Sequence, residues 1–376
     1  MMIVDVIIIT SIIILVTRTV LFSVGAYKER NKKIEFYDER EFPSVSVVVP
    51  ARNEEENIEN CIKSIAKSNY PTNKYEIIAV NDRSTDNTGE ILSNLSKEIS
   101  NLKIVNIDEV HQHINLKGKP GAVQSGIDEA KGDIVLMTDA DCKVGEKWIK
   151  KITSCYKDPK IGFVASFTNV EGKGLFNKIQ AIEWIYMHTL GCAGIGLGHP
   201  LGCFGNNISV RKSDFDEIGG FEKIRFSVTE DLALITEFHK QGKGIIYLVD
   251  EDADIDTLPC KTLREYIRQH HRWAVGGMEL GWKAVFFVIS SIALWVGLIT
   301  SIIIGNYFLA LLFLLIRVIG DYAVILPSIL RLKKMELIPW IIPSVMFFII
   351  LEIFVPFLLL KKTITWKDQS FRRLKT

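Results

Sequence analysis

No charge of either sign dominates this chain: 45 Lys and Arg stand against 44 Asp and Glu, a formal net charge of +1 over 376 residues. Without a global field there is no electrostatic case for a nucleic-acid partner. Cysteine is scarce and unpatterned. Cys61, Cys142, Cys155, Cys192, Cys203 and Cys260 contain no C-x-x-C spacing. That argues against a zinc site or a disulfide framework, and for reduced, packed thiols in a cytosol-facing domain. Neither an internal repeat nor a low-complexity linker interrupts 41–250. The first stretch lacks a positively charged start and no small-x-small cleavage site follows, so the expectation is a retained anchor, not a cleaved signal peptide.

Long apolar runs, by contrast, are plentiful, and 48% of the chain is hydrophobic. Residues 1–24, MMIVDVIIITSIIILVTRTVLFSV, are long enough to cross a bilayer as a helix. The linker 25–42 carries Lys28, Arg30, Lys32 and Lys33, which should stay in the cytoplasm. Residues 259–282 read as a basic helix with an aromatic side and a bend at Gly276-Gly277, lying along the membrane interface or simply on the surface. Residues 176–190 are a second candidate of this kind. The C-terminal membrane region, 283–360, holds two spans at 284–304 and 307–326 and a third apolar run at 338–360, before a basic tail at 361–376. Its topology stays open. Three crossings would leave Lys361, Lys362, Arg372, Arg373 and Lys375 outside, against the positive-inside tendency, whereas Pro343 and Pro356 permit a broken or re-entrant segment. Arg317 and Asp321, one helical turn apart within a span, read as functional intramembrane charges or as an i,i+4 pair buried between helices.

Between these regions, 43–258 alternates short β-like runs with amphipathic helical ones. Strands are expected at 45–49, 75–80 and 102–107 and through Ile134-Val135-Leu136-Met137, with helices at 53–69, from Gly89, and at 121–131. This rhythm predicts an α/β fold with a doubly wound, mostly parallel sheet, plus transmembrane helices at both ends of the chain. Polar clusters fall where strands should end: PARNEE from Pro50, NDRSTD from Asn81, Asp139-Ala140-Asp141, and Thr229-Glu230-Asp231. Ligands of open α/β sheets bind outside the carboxyl ends of strands. Asp139 and Asp141 there suit a hard divalent cation, which takes one or two carboxylates and completes its shell with water and phosphate oxygens. For Asn53, Asp86 and Asp231 the competing reading is helix capping.

VSVVVPARNEE, NDRSTDNT, GKPGAVQSG, DADC, TED and QHHRW, in this order and spacing, resemble the family 2 inverting glycosyltransferases with the GT-A fold. The closer resemblance is to the membrane-integrated branch of cellulose and hyaluronan synthases and ceramide glucosyltransferase. It covers 43–273, and the flanking apolar segments fit it. The resemblance implies that Ala51, Asn53, Glu54, Asp82 and Lys119 bind the nucleotide sugar. Asp139 would meet ribose or metal, and Asp141 would hold Mg²⁺ or Mn²⁺ at the diphosphate. Asp231 would be the general base. Gln269 and Arg272 would hold the diphosphate, with Trp273 and Glu230 on the acceptor side. Gln124 and Ser125 depart from the more usual Asn and Ala. His270 and His271 match no role. The glycine-rich run from Gly202 to Asn207 reads as a wall of the acceptor side or as a set of tight turns. Trp366-Lys367 resembles a W-K pair of some relatives and carries no mechanism.

The expected protein is thus a membrane-bound, metal-dependent glycosyltransferase with its catalytic domain on the cytoplasmic side. Its donor would be a nucleotide-diphospho-sugar, a UDP-sugar by preference, and its acceptor a lipid or a membrane-associated glycan. The alternative is a processive polysaccharide synthase, for which the few C-terminal spans would call for a homo-oligomer. A nucleotidyltransferase would show a glycine-rich basic loop after the first strand, where this chain has PARNEE. A non-catalytic membrane scaffold or transporter would not need all of these motifs together.

Overall fold

The computed structural model describes residues 2–35, 37, 41–108, 116, 118–225, 227, 229–360, 363–366 and 369–372. In chain order its elements are α1 (Met2–Arg30), β1 (Val45–Ala51), α2 (Ile58–Ala66), β2 (Tyr75–Asp82), α3 (Thr88–Glu98), β3 (Leu102–Ile107), α4 (Lys119–Asp128), β4 (Ile134–Met137), β5 (Lys143–Val144) and α5 (Trp148–Ser154). Then come β6 (Ile161–Ser166), β7 (Thr168–Val170), α6 (Leu175–Gly196), β8 (Ile208–Arg211), α7 (Lys212–Glu217), α8 (Gly220–Lys223), α9 (Glu230–Lys240), β9 (Gly244–Leu248) and β10 (Ile255–Thr257). The chain closes with α10 (Leu263–Gly277), α11 (Trp282–Ile303), α12 (Tyr307–Arg331), α13 (Ile341–Leu358), β11 (Thr363–Trp366) and β12 (Gln369–Arg372). Two compact units result. A sheet unit holds Glu29–Glu171 and Gly202–Leu258, and a helical unit holds Met1–Lys28, Gly172–Leu201 and Pro259–Thr376.

In the sheet unit, seven strands run in the order β3-β2-β1-β4-β8-β6-β9. Strands β3, β2, β1 and β4 are mutually parallel, β6 and β9 are parallel, and β8 runs antiparallel to both its neighbours. The expected mostly parallel sheet is present, and its cause is visible in burial: all four residues of β4 are buried, as are six of the seven in β1. Such strands need cover on both faces. The pairings Val48↔Met137 and Ala51↔Asn81 bring the carboxyl ends of β1, β2 and β4 out side by side.

One helix starts later than its sequence pattern suggests. Asn53 has a φ of 53°, the left-handed region that a helix excludes and that Asn tolerates, and α2 begins only at Ile58. The residues between form a loop at the sheet edge. Arg83, just past β2, shares that backbone geometry with a φ of 53°.

In the helical unit, four helical stretches among the described residues are long and apolar enough to cross a membrane, as an integral membrane protein requires: Met2–Arg30, Trp282–Ile303, Tyr307–Arg331 and Met335–Leu358. Pro343 falls in the first turn of α13, where its missing N–H breaks no helical bond, and the helix runs on unbroken to Leu358. Helix α6, read from sequence as an interfacial candidate, is buried along most of its length. It meets α1 backbone to backbone, since a Cβ on Gly25 would drive into the Ala193 carbonyl and one on Gly196 into the Gly25 carbonyl.

Arg317 and Asp321 form the expected pair, Nε to Oδ2 at 2.6 Å, but not alone. Arg18 of α1 adds Nη1 to Asp321 Oδ1 at 2.7 Å and donates to the Tyr186 hydroxyl. Tyr186 donates to Asp321 Oδ1 at 3.0 Å. Glu352 of α13 accepts from Arg317 at 2.5 Å and from Ser291 of α11 at 2.9 Å. The tail residues Lys361, Lys362, Lys367, Arg373 and Lys375 lie outside the described residues, and Trp366 and Arg372 are placed only as strand positions.

Candidate active site

The loops after β1 and β2 form one laced piece. Asn53 Oδ1 accepts the Thr85 N–H at 2.9 Å, and Ser84 Oγ accepts the Asn53 N–H at 3.1 Å. Thr88 Oγ1 accepts from Glu54 N at 2.8 Å, Asp86 Oδ2 from Glu55 N at 3.1 Å, and Glu55 Oε2 from Asn87 N at 3.0 Å. Asp86 also takes the Thr88 hydroxyl at 2.6 Å. Slight burial would raise its carboxyl, but the bonds from Thr88 and the Glu55 N–H outweigh that and hold it below the usual range. Asn53 and Asp86 are therefore ties between loops as well as polar ends. Asp82, buried at the end of β2, accepts from Arg83 Nε at 2.8 Å and has Arg52 Nη1 at 3.9 Å. Ala51 is buried at the end of β1 beside it.

Gly118, whose φ is 72°, turns the chain into α4 so that Lys119 opens the helix. The Lys119 ammonium lies 2.6 Å from Asp139 Oδ1 and 3.6 Å from Glu230 Oε1. It thus links the D-x-D carboxylate after β4 with the T-E-D segment that starts α9. Desolvation alone would lower its pKa; the charges of Asp139 and Glu230 outweigh it and raise it.

Asp231 is not the cap of α9. Thr229 holds that position, and Asp231 sits in the first turn, where a carboxylate meets free N–H groups. Its Oδ1 accepts from Leu232 N at 2.8 Å and its Oδ2 from Gly205 N at 2.9 Å. Burial, and next the charge of Glu230, push its carboxyl up to about 7 against those bonds and Lys119. Gly205 was legible as part of a glycine-rich run; its N–H as a donor to a carboxylate distant in the chain was not. The neighbouring Asn206 and Asn207 are core ties: Asn207 accepts from Trp148 Nε1 at 3.0 Å and Asn206 from Thr168 at 3.0 Å.

The departures at 124 and 125 have structural partners too. Gln124 accepts from Phe221 N at 2.9 Å and donates to Asp128 at 2.8 Å, while Ser125 donates to the Gly121 carbonyl at 3.0 Å.

In the helical unit, α10 carries Gln269, Arg272 and Trp273. Thr262 caps it, accepting from Glu265 N at 3.2 Å. The helix ends at Gly277, where the sequence places its bend. Cys260 Sγ lies 3.7 Å from Gln269 Oε1, and the Trp273 ring meets Trp184 edge-on with centroids 5.7 Å apart.

Asp139 and Asp141 supply two hard oxygen donors at a strand end. Beneath them the Cys61 thiol is pushed up, by burial first and then by the charges of Asp141 and Asp139. No group of three or more His, Cys, Asp or Glu side chains able to cage a metal forms among the described residues. Two carboxylates without a cage fit a divalent cation carried largely by phosphate oxygens and water.

A parallel block broken by one antiparallel strand, with carboxylates on the shared carboxyl edge, is the GT-A arrangement. The chain shares this fold with the mannosyltransferase of Pyrobaculum calidifontis solved with GDP-Man and Mn²⁺, at a TM-score of 0.56 and 17% identity, covering 93% of this chain and 99% of that one. The chain belongs to glycosyl transferase family 21, whose model matches residues 3–375. Among curated relatives, a beta-monoglucosyldiacylglycerol synthase of Nostoc sp. is 27% identical over 72% of this chain and 57% of its own length. A poly-beta-1,6-N-acetyl-D-glucosamine synthase of Staphylococcus aureus is 31% identical over 64% of this chain and 56% of its own. The chain spans under three fifths of the length of these relatives.

Proposed function

We propose that the protein transfers a sugar, with inversion, from a nucleotide-diphospho-sugar to a lipid or membrane-associated glycan, its sheet unit facing the cytoplasm. The observation that carries this is the pairing of Lys119 with both Asp139 and Glu230, next to an Asp231 held by the Gly205 N–H and raised by the charge of Glu230 as well as by burial. It sets a cation-accepting carboxylate and a carboxylate of raised basicity on one sheet edge.

In this reading Asp231 takes the proton from the acceptor hydroxyl as that oxygen attacks the anomeric carbon. Attack opposite the departing diphosphate inverts the centre. A divalent cation held by Asp141 and Asp139 would neutralise the leaving group's charge. Lys119 holds Asp139 in place, and the Gly205 N–H orients Asp231. Ala51, Asn53, Glu54 and Asp82 line the nucleotide's side of the edge. Gln269 and Arg272 take the diphosphate, and Trp273 and Glu230 the acceptor. A UDP-sugar is the preferred donor and Mg²⁺ or Mn²⁺ the cation.

The full chain in native lipids, given a panel of labelled nucleotide sugars, should yield one labelled lipid or glycan product with the nucleoside diphosphate released. No transfer from any donor would end this reading. A ladder of products would instead favour a processive synthase, the reading that the Staphylococcus aureus relative supports; in that case more than one copy would be needed to form a channel.

A further inference from the structure

Helix α6 presents Gln180, Glu183 and Trp184 to three successive levels of the segment from Cys260 through α10. Gln180 Oε1 accepts the Cys260 N–H at 2.8 Å, and its Nε2 donates to the Cys260 carbonyl at 3.2 Å. Glu183 Oε1 lies 2.7 Å from His270 Nε2. Trp184 meets Trp273 edge-on, and His270 lies against the same indole at 5.1 Å.

The middle contact fixes its own proton count. His270 Nδ1 sits 2.8 Å from the Tyr266 carbonyl oxygen, which only accepts, so Nδ1 carries a hydrogen. A second proton must then lie between Nε2 and Oε1, whether the pair is written as imidazolium and carboxylate or as imidazole and carboxylic acid. Glu183 and His270 are 6% and 8% exposed. They form a buried, neutral unit that cannot lose one member without stranding the other. At about 100° per residue, Arg272 lies roughly 200° around α10 from His270. The rotation that presses His270 onto α6 therefore turns Arg272 away from it.

We infer that Glu183 and His270 are positioning residues for 269–273: their buried pair, with Gln180 and Trp184 to either side, sets the rotation of α10 and hence the presentation of Gln269, Arg272 and Trp273. The catalytic consequence rests on the transferase reading; the rotational lock does not.

The test uses the full chain in nanodiscs with Glu183→Ala, Glu183→Gln, His270→Ala and the Glu183→Ala/His270→Ala double variant. Cys260 is the one partly exposed cysteine, the other five being buried, so its alkylation by a maleimide, read by mass spectrometry, reports the seating of α10. Either alanine variant should speed that alkylation about fivefold or more, because local opening exposes the thiol. Glu183→Gln, which keeps a hydrogen-bonding partner, should stay near wild type. The double variant should be no faster than the faster single.

Turnover per mole of bound nucleotide should fall about 10- to 100-fold in Glu183→Ala, as misplaced groups cost. The donor KM should stay within about threefold, and Glu183→Gln should restore the rate. Wild-type alkylation in Glu183→Ala, or additive effects in the double variant, would overturn the lock. Faster alkylation with unchanged turnover would overturn the positioning role. If the wild type transfers no sugar, the transferase reading fails while alkylation still decides the lock.

Discussion

At the scale of single residues, Asp231 is where sequence and geometry divide the work. The T-E-D triplet marked it, and the structure places it in the first turn of α9, past the cap position held by Thr229. Its carboxyl, pushed up to about 7 by burial and Glu230 and facing Lys119 and the Cys203 thiol, is protonated at lower pH. As a base it works ionised, so kcat/KM should climb with pH through about 7 and level off above. A profile flat from pH 5.5 to 8.5 would remove it from that role. The stability sign is opposite. A carboxyl raised in the folded state contributes stability that is complete below the ordinary Asp range and lost as pH rises through about 7. Asp231→Asn should therefore cut turnover by about 10²- to 10⁴-fold, leave nucleotide binding nearly intact, and unfold at pH 8 no earlier than wild type. What sequence could not show is the pairing of these groups. Lys119, Asp139, Gly205 and Glu230 meet only because β4, β8, α4 and α9 share one sheet edge.

At the scale of elements, Arg317 and Asp321 show how far a pattern reaches and where it stops. Their i,i+4 spacing announced a buried pair, and the pair is there. Arg18, Tyr186 and Glu352, on three other helices, were not legible as its partners, because nothing in a linear spacing ties α1 to α12. Two cations and two anions make the cluster neutral. Removing one member leaves a buried charge unmatched, at a cost of about 3–5 kcal/mol in comparable sites. Arg18→Leu should lower the midpoint of thermal unfolding in detergent by several degrees. Arg18→Leu/Asp321→Leu, which leaves Arg317 with Glu352, should recover part of that loss. Equal midpoints for wild type and Arg18→Leu would show that the cluster holds nothing together. The late start of α2 teaches the converse lesson. The helix expected over 53–69 is present from Ile58 to Ala66, but the left-handed Asn53 is set by its bonds to Ser84 and Thr85 on another loop.

At the scale of the whole molecule, hydropathy marks the candidate spans, and the basic clusters beside them argue for the orientation proposed above. Lys28 and Arg30 lie in the last turn of α1 with Lys32 and Lys33 just after it, and Arg331 ends α12 with Lys333 and Lys334 just after it. If α11 and α12 both cross, these two clusters and the sheet unit lie on one side, while the short link around Gly305 lies on the other. That arrangement satisfies the positive-inside tendency at both clusters. Tyr307, 72% exposed, opens α12, and Met335, 54% exposed, lies just beyond its other end. In a Cys260→Ser background, Tyr307→Cys should react with a membrane-impermeant maleimide on intact cells, and Met335→Cys only after lysis. The reverse pattern would place the sheet unit outside, away from cytoplasmic nucleotide sugars, and with it the proposed donor chemistry would fail. Labelling of both positions on intact cells would mean that α12 does not cross, and the region from Ala284 onward would have to lie along one face of the bilayer.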